Sequence, residues 1–342
     1  MDQELKTEPQ FSAAGANEEN RKKTHDQSVL GPVAKAIVLA LVVTTLISLA
    51  SPHHWFADLL ANLRMQQLIG LIVAFGLCLK ARKRRLSCLA IILTAIHAPW
   101  LKPALPTSTS DAAASITITF ANTLTSNWNV DAIAEDLLHN DPDVIAVLEL
   151  SNILQAKLAK ELSSTYPHSI VRPLDHSNFG IGLYSKHPLK DEDIFRLNLD
   201  IESIAATVCI ADHHYRILAT HPLPPMGPAG FQHRNQHLEQ LADRIKTFQS
   251  NSPETHVILV GDLNLTPWSP VFSDLEQRSG LRQARAGFTI SPTWYRFPLF
   301  PFGLILDHGL LSKNIRCLSR KVGPNTGSDH RSVTLQLHAK SK

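Results

Sequence analysis

The run Val257-Ile258-Leu259-Val260-Gly261-Asp262-Leu263-Asn264 closes an apolar stretch with a carboxylate and a carboxamide two residues apart. A short β-branched run stopped by glycine predicts a buried strand. Positions two apart at its end project to the same side of the pleat. Asp262 and Asn264 would then set a proton acceptor beside a neutral hydrogen-bond donor. The pair also suits an ordinary Asx turn, so its chemistry depends on company. That company exists. Asn122 follows the run 116–120, Glu149 follows 144–148, and His221 follows 217–220. Asp307 and His308 fall within 304–311, and Asp329 and His330 precede 332–337. Strand ends are rigid supports with exposed tips, where function collects.

The elements that must position these residues are legible as alternating patterns. Strands are expected over 116–120, 144–148, 180–184, 205–210, 217–220, 257–260, 304–311 and 332–337. Helices are expected over 130–140, 153–162 and 234–248, the last with Leu238, Leu241, Ile245 and Phe248 spaced as a buried stripe. Strands interleaved with a few helices predict an α/β or α+β sandwich beginning near residue 115. There is no internal repeat.

The order and context of these residues resemble the endonuclease/exonuclease/phosphatase (deoxyribonuclease I-like) superfamily over roughly residues 115–338. The resemblance rests on Gly261-Asp262-Leu263-Asn264, Leu306-Asp307-His308 and Ser328-Asp329-His330. Asn122, the Leu148-Glu149 strand end and Thr220-His221-Pro222 support it. It implies a four-layer α/β sandwich of two packed β-sheets flanked by helices. It also implies Glu149 as the main ligand of a Mg²⁺ or Mn²⁺ ion, with Asn122 and Asp329 helping to hold the ion or its waters. Asp262 would orient or deprotonate the attacking water, and Asn264 would donate to the phosphoryl oxygen or the nucleophile. His330, held by Asp307, would contact a non-bridging oxygen, and His221 would be a second phosphate contact. Leu124 stands where abasic-site endonucleases often carry an acid, which argues against DNA repair. The run before Asp307, Gly303-Leu304-Ile305-Leu306, is wholly apolar where a basic residue is often found.

The N-terminal third differs in kind. Residues 1–30 are polar and predict a disordered tail. Three apolar stretches follow, 36–50, 68–79 and 86–101, which predict three membrane helices within residues 31–101. A Pro/Ser/Thr-rich linker occupies 102–114. Lys80, Arg82, Lys83, Arg84 and Arg85 lie between the second and third stretches. By the positive-inside rule that loop is cytoplasmic, which leaves the domain 115–342 outside. The resemblance extends to a membrane-anchored bacterial branch of the superfamily. It implies a multi-pass protein of the bacterial inner membrane, with its catalytic domain on the periplasmic or extracellular side.

Net charge is +3, unevenly distributed: residues 1–115 balance to +4 and residues 116–342 to −1. The larger part lacks the basic excess of a protein that grips nucleic acid through phosphates. None of the four cysteines has C-x-x-C spacing, so no zinc site of that kind is expected. A Cys209–Cys317 disulfide stays open at this level. The aromatic loop Trp294-Tyr295-Arg296-Phe297-Pro298-Leu299-Phe300-Pro301-Phe302, just before Asp307, either packs under the sheet or forms an apolar lip. The expected activity is a membrane-tethered, metal-dependent phosphohydrolase acting on a lipid-linked phosphate such as a polyprenyl pyrophosphate. A tethered extracytoplasmic nuclease is the alternative, and a non-catalytic binding module a distant third.

Overall fold

The computed structural model describes residues 13–107, 112–288, 290–296 and 302–339, with side chains from residue 29 onward. The chain opens with helices α1 (Ala13–Ser48), α2 (Trp55–Asn62), α3 (Arg64–Lys80) and α4 (Arg84–His97), followed by a 3₁₀ turn at Ala98–Ala104. Helix α1 starts inside the segment expected to be a tail, because Ala, Glu, Lys and Arg there are strong helix formers. Residues 1–12 lie outside the described residues. Helix α2 was not anticipated.

Two compact units form: residues 1–47 with 65–99, and residues 48–64 with 100–342. In the first, Ala34, Val38, Ala74 and Cys78 make one buried cluster, and Leu71, Ala90 and Leu93 another. Much of its apolar surface stays exposed, including Val43, Leu46, Ile72, Ile91 and Ile92. The segments Val29–Ser48 and Arg84–Ala104 are long and apolar enough to cross a membrane, and α2 with α3 qualifies as a third, bent candidate.

The second unit carries α2 and a sandwich. Its elements are β1 (Ile116–Asn122), α5 (Val130–Leu138), β2 (Val144–Leu148), α6 (Asn152–Leu162), β3 (His168–Arg172), β4 (Ile181–Ser185), β5 (Leu189–Leu197), β6 (Ile201–Ile210) and β7 (His213–Ala219). Then come α7 (Gly227–Asn251), β8 (His256–Asp262), α8 (Pro270–Ser279), β9 (Arg282–Gln283), β10 (Asp307–Leu311), β11 (Ile315–Val322) and β12 (Val333–Ala339). They form two six-stranded mixed sheets, β11-β12-β1-β2-β4-β3 and β5-β6-β7-β8-β10-β9.

Period-two alternation builds the layers. Ile116, Ile118 and Phe120 of β1 and Val144, Ala146 and Leu148 of β2 face Ile217, Ala219, Ile258 and Val260 of the other sheet. The intervening Ile145 and Val147 turn outward onto Ile133 and Leu137 of α5 and Leu154 and Leu158 of α6. On the far side Val257 and Leu259 meet Leu238, Leu241 and Ile245 of α7 and Phe272 and Leu275 of α8. The four-layer expectation therefore holds. All four cysteines are free, so the disulfide left open by the sequence is not formed.

Several boundaries moved. Residues 304–306 lie outside the ladder, and β10 begins at Asp307, because Leu304 pairs instead with Trp294. Helix α7 runs from Gly227, with Pro228 tolerated in its first turn, where its missing N–H is no loss.

Burial keeps two histidines neutral. It lowers His237 to about 3, helped by the charge of His221, and lowers His308 to about 4. The His308 Nε2 donates to the Leu265 carbonyl at 2.8 Å, so this residue supports the fold. The unfolded chain protonates both near pH ~6.5. Stability is thus fully present above that value and falls as pH drops, for His308 down to about 4. At about 1.4 kcal/mol per pH unit, His308 alone would cost roughly 3 kcal/mol. We expect the melting temperature of the full chain in detergent to fall steeply between pH ~6.5 and ~4, and the slope to flatten in His308→Gln. An unchanged slope would refute the assignment.

Candidate active site

Topology gathers the polar positions. Strand β1 runs parallel to β2 (Asn122 opposite Leu148) and antiparallel to β12 (Phe120 opposite Val333). The C-terminal ends of β1 and β2 thereby meet the start of β12. In the second sheet β7 and β8 are parallel, and β10 is antiparallel with Asp307 opposite Asp262. Asn122, Glu149, His221, Asp262, Asp307, Asp329 and His330 therefore collect at one end of the sandwich.

Asp262 is the centre, only 1% exposed. Its Oδ2 lies 3.2 Å from Asn122 Nδ2, 3.4 Å from His221 Nε2 and 3.5 Å from His330 Nε2. Its Oδ1 accepts from the Asn264 backbone N–H at 2.9 Å. Burial opposes ionisation, but the His330 and His221 charges and these hydrogen bonds outweigh it. They hold the carboxyl well below its usual range. Glycine is required just before: a Cβ on Gly261 would stand 2.0 Å from the Thr220 carbonyl oxygen, and its φ is +153°.

His330 Nδ1 donates to Asp307 Oδ2 at 2.8 Å. Burial works against the imidazolium, yet the Asp307 and Asp262 carboxylates lift His330 to about 10. Burial, chiefly, raises Asp307, with the Asp262 charge adding to it. The pair shares one proton, and we assign it to the imidazole, which faces two carboxylates. Ser328 Oγ accepts from the His330 N–H at 3.0 Å and donates to the Asn122 carbonyl at 2.9 Å, tying β12 to β1.

His221 Nδ1–H donates to the Asn178 carbonyl at 3.1 Å, which fixes its tautomer and turns Nε2 to Asp262. Burial again opposes its charge, and the hydrogen bond to Asp262 with the Asp262 and Glu149 charges raises it on balance. Phe179 packs against the ring, centroids 5.5 Å apart.

Glu149 sits at φ +56°, a left-handed conformation that costs a non-glycine residue on the order of 1–3 kcal/mol. Its Oε1 accepts from Asn122 Nδ2 at 2.9 Å and its Oε2 from the Thr125 N–H at 3.2 Å. Asn122 thus clamps two carboxylates, and its own Oδ1 accepts from the Leu124 N–H. Asp329 Oδ2 accepts from Trp294 Nε1 at 3.0 Å, with Arg296 at 3.8 Å.

Glu149 and Asp329 both line the same cavity as Asp262 and His330, about 1030 Å³ in volume. Two hard carboxylates lining the cavity, the buried Glu149 held by an amide clamp and the partly exposed Asp329, fit a divalent cation that keeps part of its water shell. Asp262, Asp307 and His330 also lie close enough to bind an ion, within 4.8 Å of one another. That trio is already committed as a buried hydrogen-bonded chain, so it is the poorer candidate.

One expectation is corrected. Asn264 does not share a pleat with Asp262, because the chain leaves the strand at Asp262. Asn264 adopts φ +53°, a region asparagine tolerates better than most residues. Its Nδ2 donates to the Pro222 carbonyl at 3.0 Å, and it still lines the cavity. The Asx turn and the site residue are therefore the same feature. The aromatic loop contributes Trp294 and Arg296 to the cavity, whereas Phe297, Pro298, Leu299, Phe300 and Pro301 lie outside the described residues. Asn178 and Phe179 were missed, and Ser328 was noted within its motif but given no role. Only Ser328, two before His330 in a turn-rich segment, carried a local sign.

The sequence model of the endonuclease/exonuclease/phosphatase family matches residues 126–330. Among solved structures, the human nocturnin catalytic domain with bound sulfate is 18% identical, over 66% of this chain and 94% of that one, with a TM-score of 0.54. An endonuclease/exonuclease/phosphatase from Beutenbergia cavernae is 16% identical over 66% and 71%, also with a TM-score of 0.54. A Staphylococcus aureus beta toxin mutant with bound magnesium ions is 16% identical over 65% and 99%, with a TM-score of 0.50. No curated protein matches the sequence. A family match over more than half the length, on a fold with two packed mixed sheets, establishes that the chain belongs to the endonuclease/exonuclease/phosphatase family.

Proposed function

We propose that this protein is a membrane-tethered, metal-dependent phosphohydrolase whose outward-facing site acts on an amphiphilic phosphate ester or pyrophosphate. The observation that carries the reading is a single cavity. Asp262, His330, Glu149 and Asp329 share it with Leu223, Met226, Leu304 and Leu306. Acid and imidazole groups together with several apolar side chains in one cavity suit a lipid-linked phosphate better than a nucleic acid strand, which would need a basic groove. Family members are in general hydrolases of phosphodiester bonds, which supports a phosphohydrolase reading.

Glu149 and Asp329 would hold the divalent ion, Mg²⁺ or Mn²⁺, which supplies Lewis-acid polarisation of a phosphoryl oxygen when bound. The protein's own groups do the rest. Asp262, kept ionised, orients the attacking water and takes its proton as the new phosphorus–oxygen bond forms and the ester or anhydride bond breaks, the leaving oxygen departing with the bond's electron pair. Its depressed pKa makes it a weak base, so positioning is its larger contribution. His330, charged and steadied by Asp307, donates to a non-bridging oxygen whose charge grows in the transition state. His221 donates alongside it. The second amide hydrogen of Asn264 is left for the nucleophile or the phosphoryl group.

Chain threading supports the topology. Helix α2 and the sandwich belong to one compact unit, so they share one side of any bilayer. The chain between them must then cross an even number of times. If α4 crosses, α3 must cross as well, and its 17 residues rise about 26 Å, close to the ~30 Å hydrocarbon core. With α1 this gives three spans. The basic loop between α3 and α4 points to the inside, so the site faces out.

Purified full-length protein with Mg²⁺ is expected to hydrolyse a polyprenyl pyrophosphate, to lose activity in EDTA, and to leave plasmid DNA intact. Robust plasmid nicking without lipid turnover would select the nuclease alternative. Glu149→Gln should lower kcat/KM by at least about 10²-fold. Asp307→Asn, which removes the anion behind His330, should lower kcat about 10²-fold and, by leaving a buried imidazolium short of a partner, also lower the melting temperature. Wild-type rates in Asp307→Asn would sink the role given to the pair. An alkaline phosphatase fusion after Lys342 should be active outside the cytoplasm, and a fusion active only inside would reverse the topology.

A further inference from the structure

The buried ion pair between Asp58 and Arg234 is not explained by the catalytic chemistry. Both side chains are fully buried, 2.9 Å apart, and their residues are 176 positions apart in sequence. Arg234 sits on α7 and Asp58 on α2, the short helix between the first two apolar helices. An uncompensated buried charge is costly, so each holds the other in place. Arg234 Nη1 also donates to the Asn264 carbonyl at 3.1 Å. One turn on from Asp58, Asn62 grips the segment that follows Asn264. Its Oδ1 accepts from the Thr266 N–H at 2.6 Å, and its carbonyl accepts from Trp268 Nε1 at 3.0 Å. Arg64 Nη1 donates to the Trp268 carbonyl at 2.6 Å. Helix α2 is therefore fixed against the loop that carries Asn264.

Asp58 and Asn62 are four residues apart and share the inward face of α2. Leu59 and Leu63 follow them on the neighbouring face, half-buried, and both line the cavity that holds Asp262 and His330. Leu223 and Met226 line the same cavity, the latter 73% exposed. Only Leu63 separates α2 from α3, so this wall is tethered to the end of an apolar helix. The matched family region begins at residue 126 and does not include α2.

We propose that α2 is the chain-binding wall of the active site: Leu59 and Leu63 bind the apolar chain of the phosphate ester while its phosphate sits at Asp262 and His330. This rests on the lipid-phosphate reading above. The buried pair and the Asn62 grip make the wall rigid. Its apolar face then selects substrates by chain, and its link to Asn264 keeps the wall in register with the reacting phosphate.

The test uses full-length protein in nanodiscs and p-nitrophenyl alkyl phosphodiesters with one, eight or twelve alkyl carbons, read as nitrophenolate release. In the wild type, kcat/KM should rise at least about tenfold from the shortest to the longest chain, as burial of a few methylenes allows. In Leu59→Gln/Leu63→Gln that ratio should fall to below about threefold. In Leu59→Trp, which fills the groove without adding a charge, the preferred chain should shorten, and this arm carries the test if the double variant does not fold. A chain-length gain that survives in both variants overturns the α2 assignment and leaves the lipid reading standing. A wild type with no gain at all sinks the lipid reading itself, and the wall with it.

Discussion

The burial of the Asp262 charge constrains everything around it. A carboxylate removed from water costs several kcal/mol unless positive or donating groups replace its hydration. Asp262 receives Asn122 from β1, His330 from the start of β12, His221 from the end of β7, and the Asn264 N–H from its own turn. No one segment supplies more than two of these. The cluster is satisfied only when both sheets stack with their ends aligned, so the two-sheet packing and the site are one requirement. Gly261 shows how tight this is, since β8 passes the Thr220 carbonyl with no room for a side chain.

This dependence explains what the sequence could reveal. Polar residues at the ends of apolar runs were legible because period-two burial is local and strand ends are abrupt. Glu149, Asp262, Asp307 and His330, which the structure gathers at one end of the sandwich, were singled out that way. Residues whose role is set by tertiary contact were not. Asn178 acts through its backbone carbonyl, which any residue could offer. Edge strands β3, β5 and β11 carry exposed charges such as Arg172, Glu192 and Lys321, so their alternation is diluted. Helix α8 was not anticipated either, although Ser269 caps it and Pro270 opens it. Helix α2 was hidden for another reason. An eight-residue helix between two apolar stretches reads as a loop, and the partner that gives Asp58 its meaning lies on α7.

The backbone at Glu149 and Asn264 shows a second kind of dependence. Both adopt left-handed conformations at strand ends, and both line the cavity. Such strain persists only where surrounding contacts over-determine it. Glu149 has Asn122 and the Thr125 N–H, while Asn264 has Asp262, Pro222 and Arg234. At these two positions the side chain leaves the sheet direction and lines the cavity.

The same electrostatics bear on the ligand. Four carboxylates, Glu149, Asp262, Asp307 and Asp329, gather near the cavity, against His221, His330 and the partly exposed Arg296. An anionic phosphate entering this site meets acids as well as imidazoliums. Asp262 and Asp307 are spent on the histidines, so their charge is answered within the protein. Glu149 accepts hydrogen bonds from two neutral amides and feels the His221 charge without a direct bond to it. Asp329 has a neutral indole and a guanidinium 3.8 Å away. A second anion can approach these two only if a cation comes with it or is already there. The divalent ion proposed above would answer this imbalance: Asp262 and Asp307 face the imidazoles directly, whereas Glu149 is hydrogen-bonded to amides and Asp329 to an indole with Arg296 beside it.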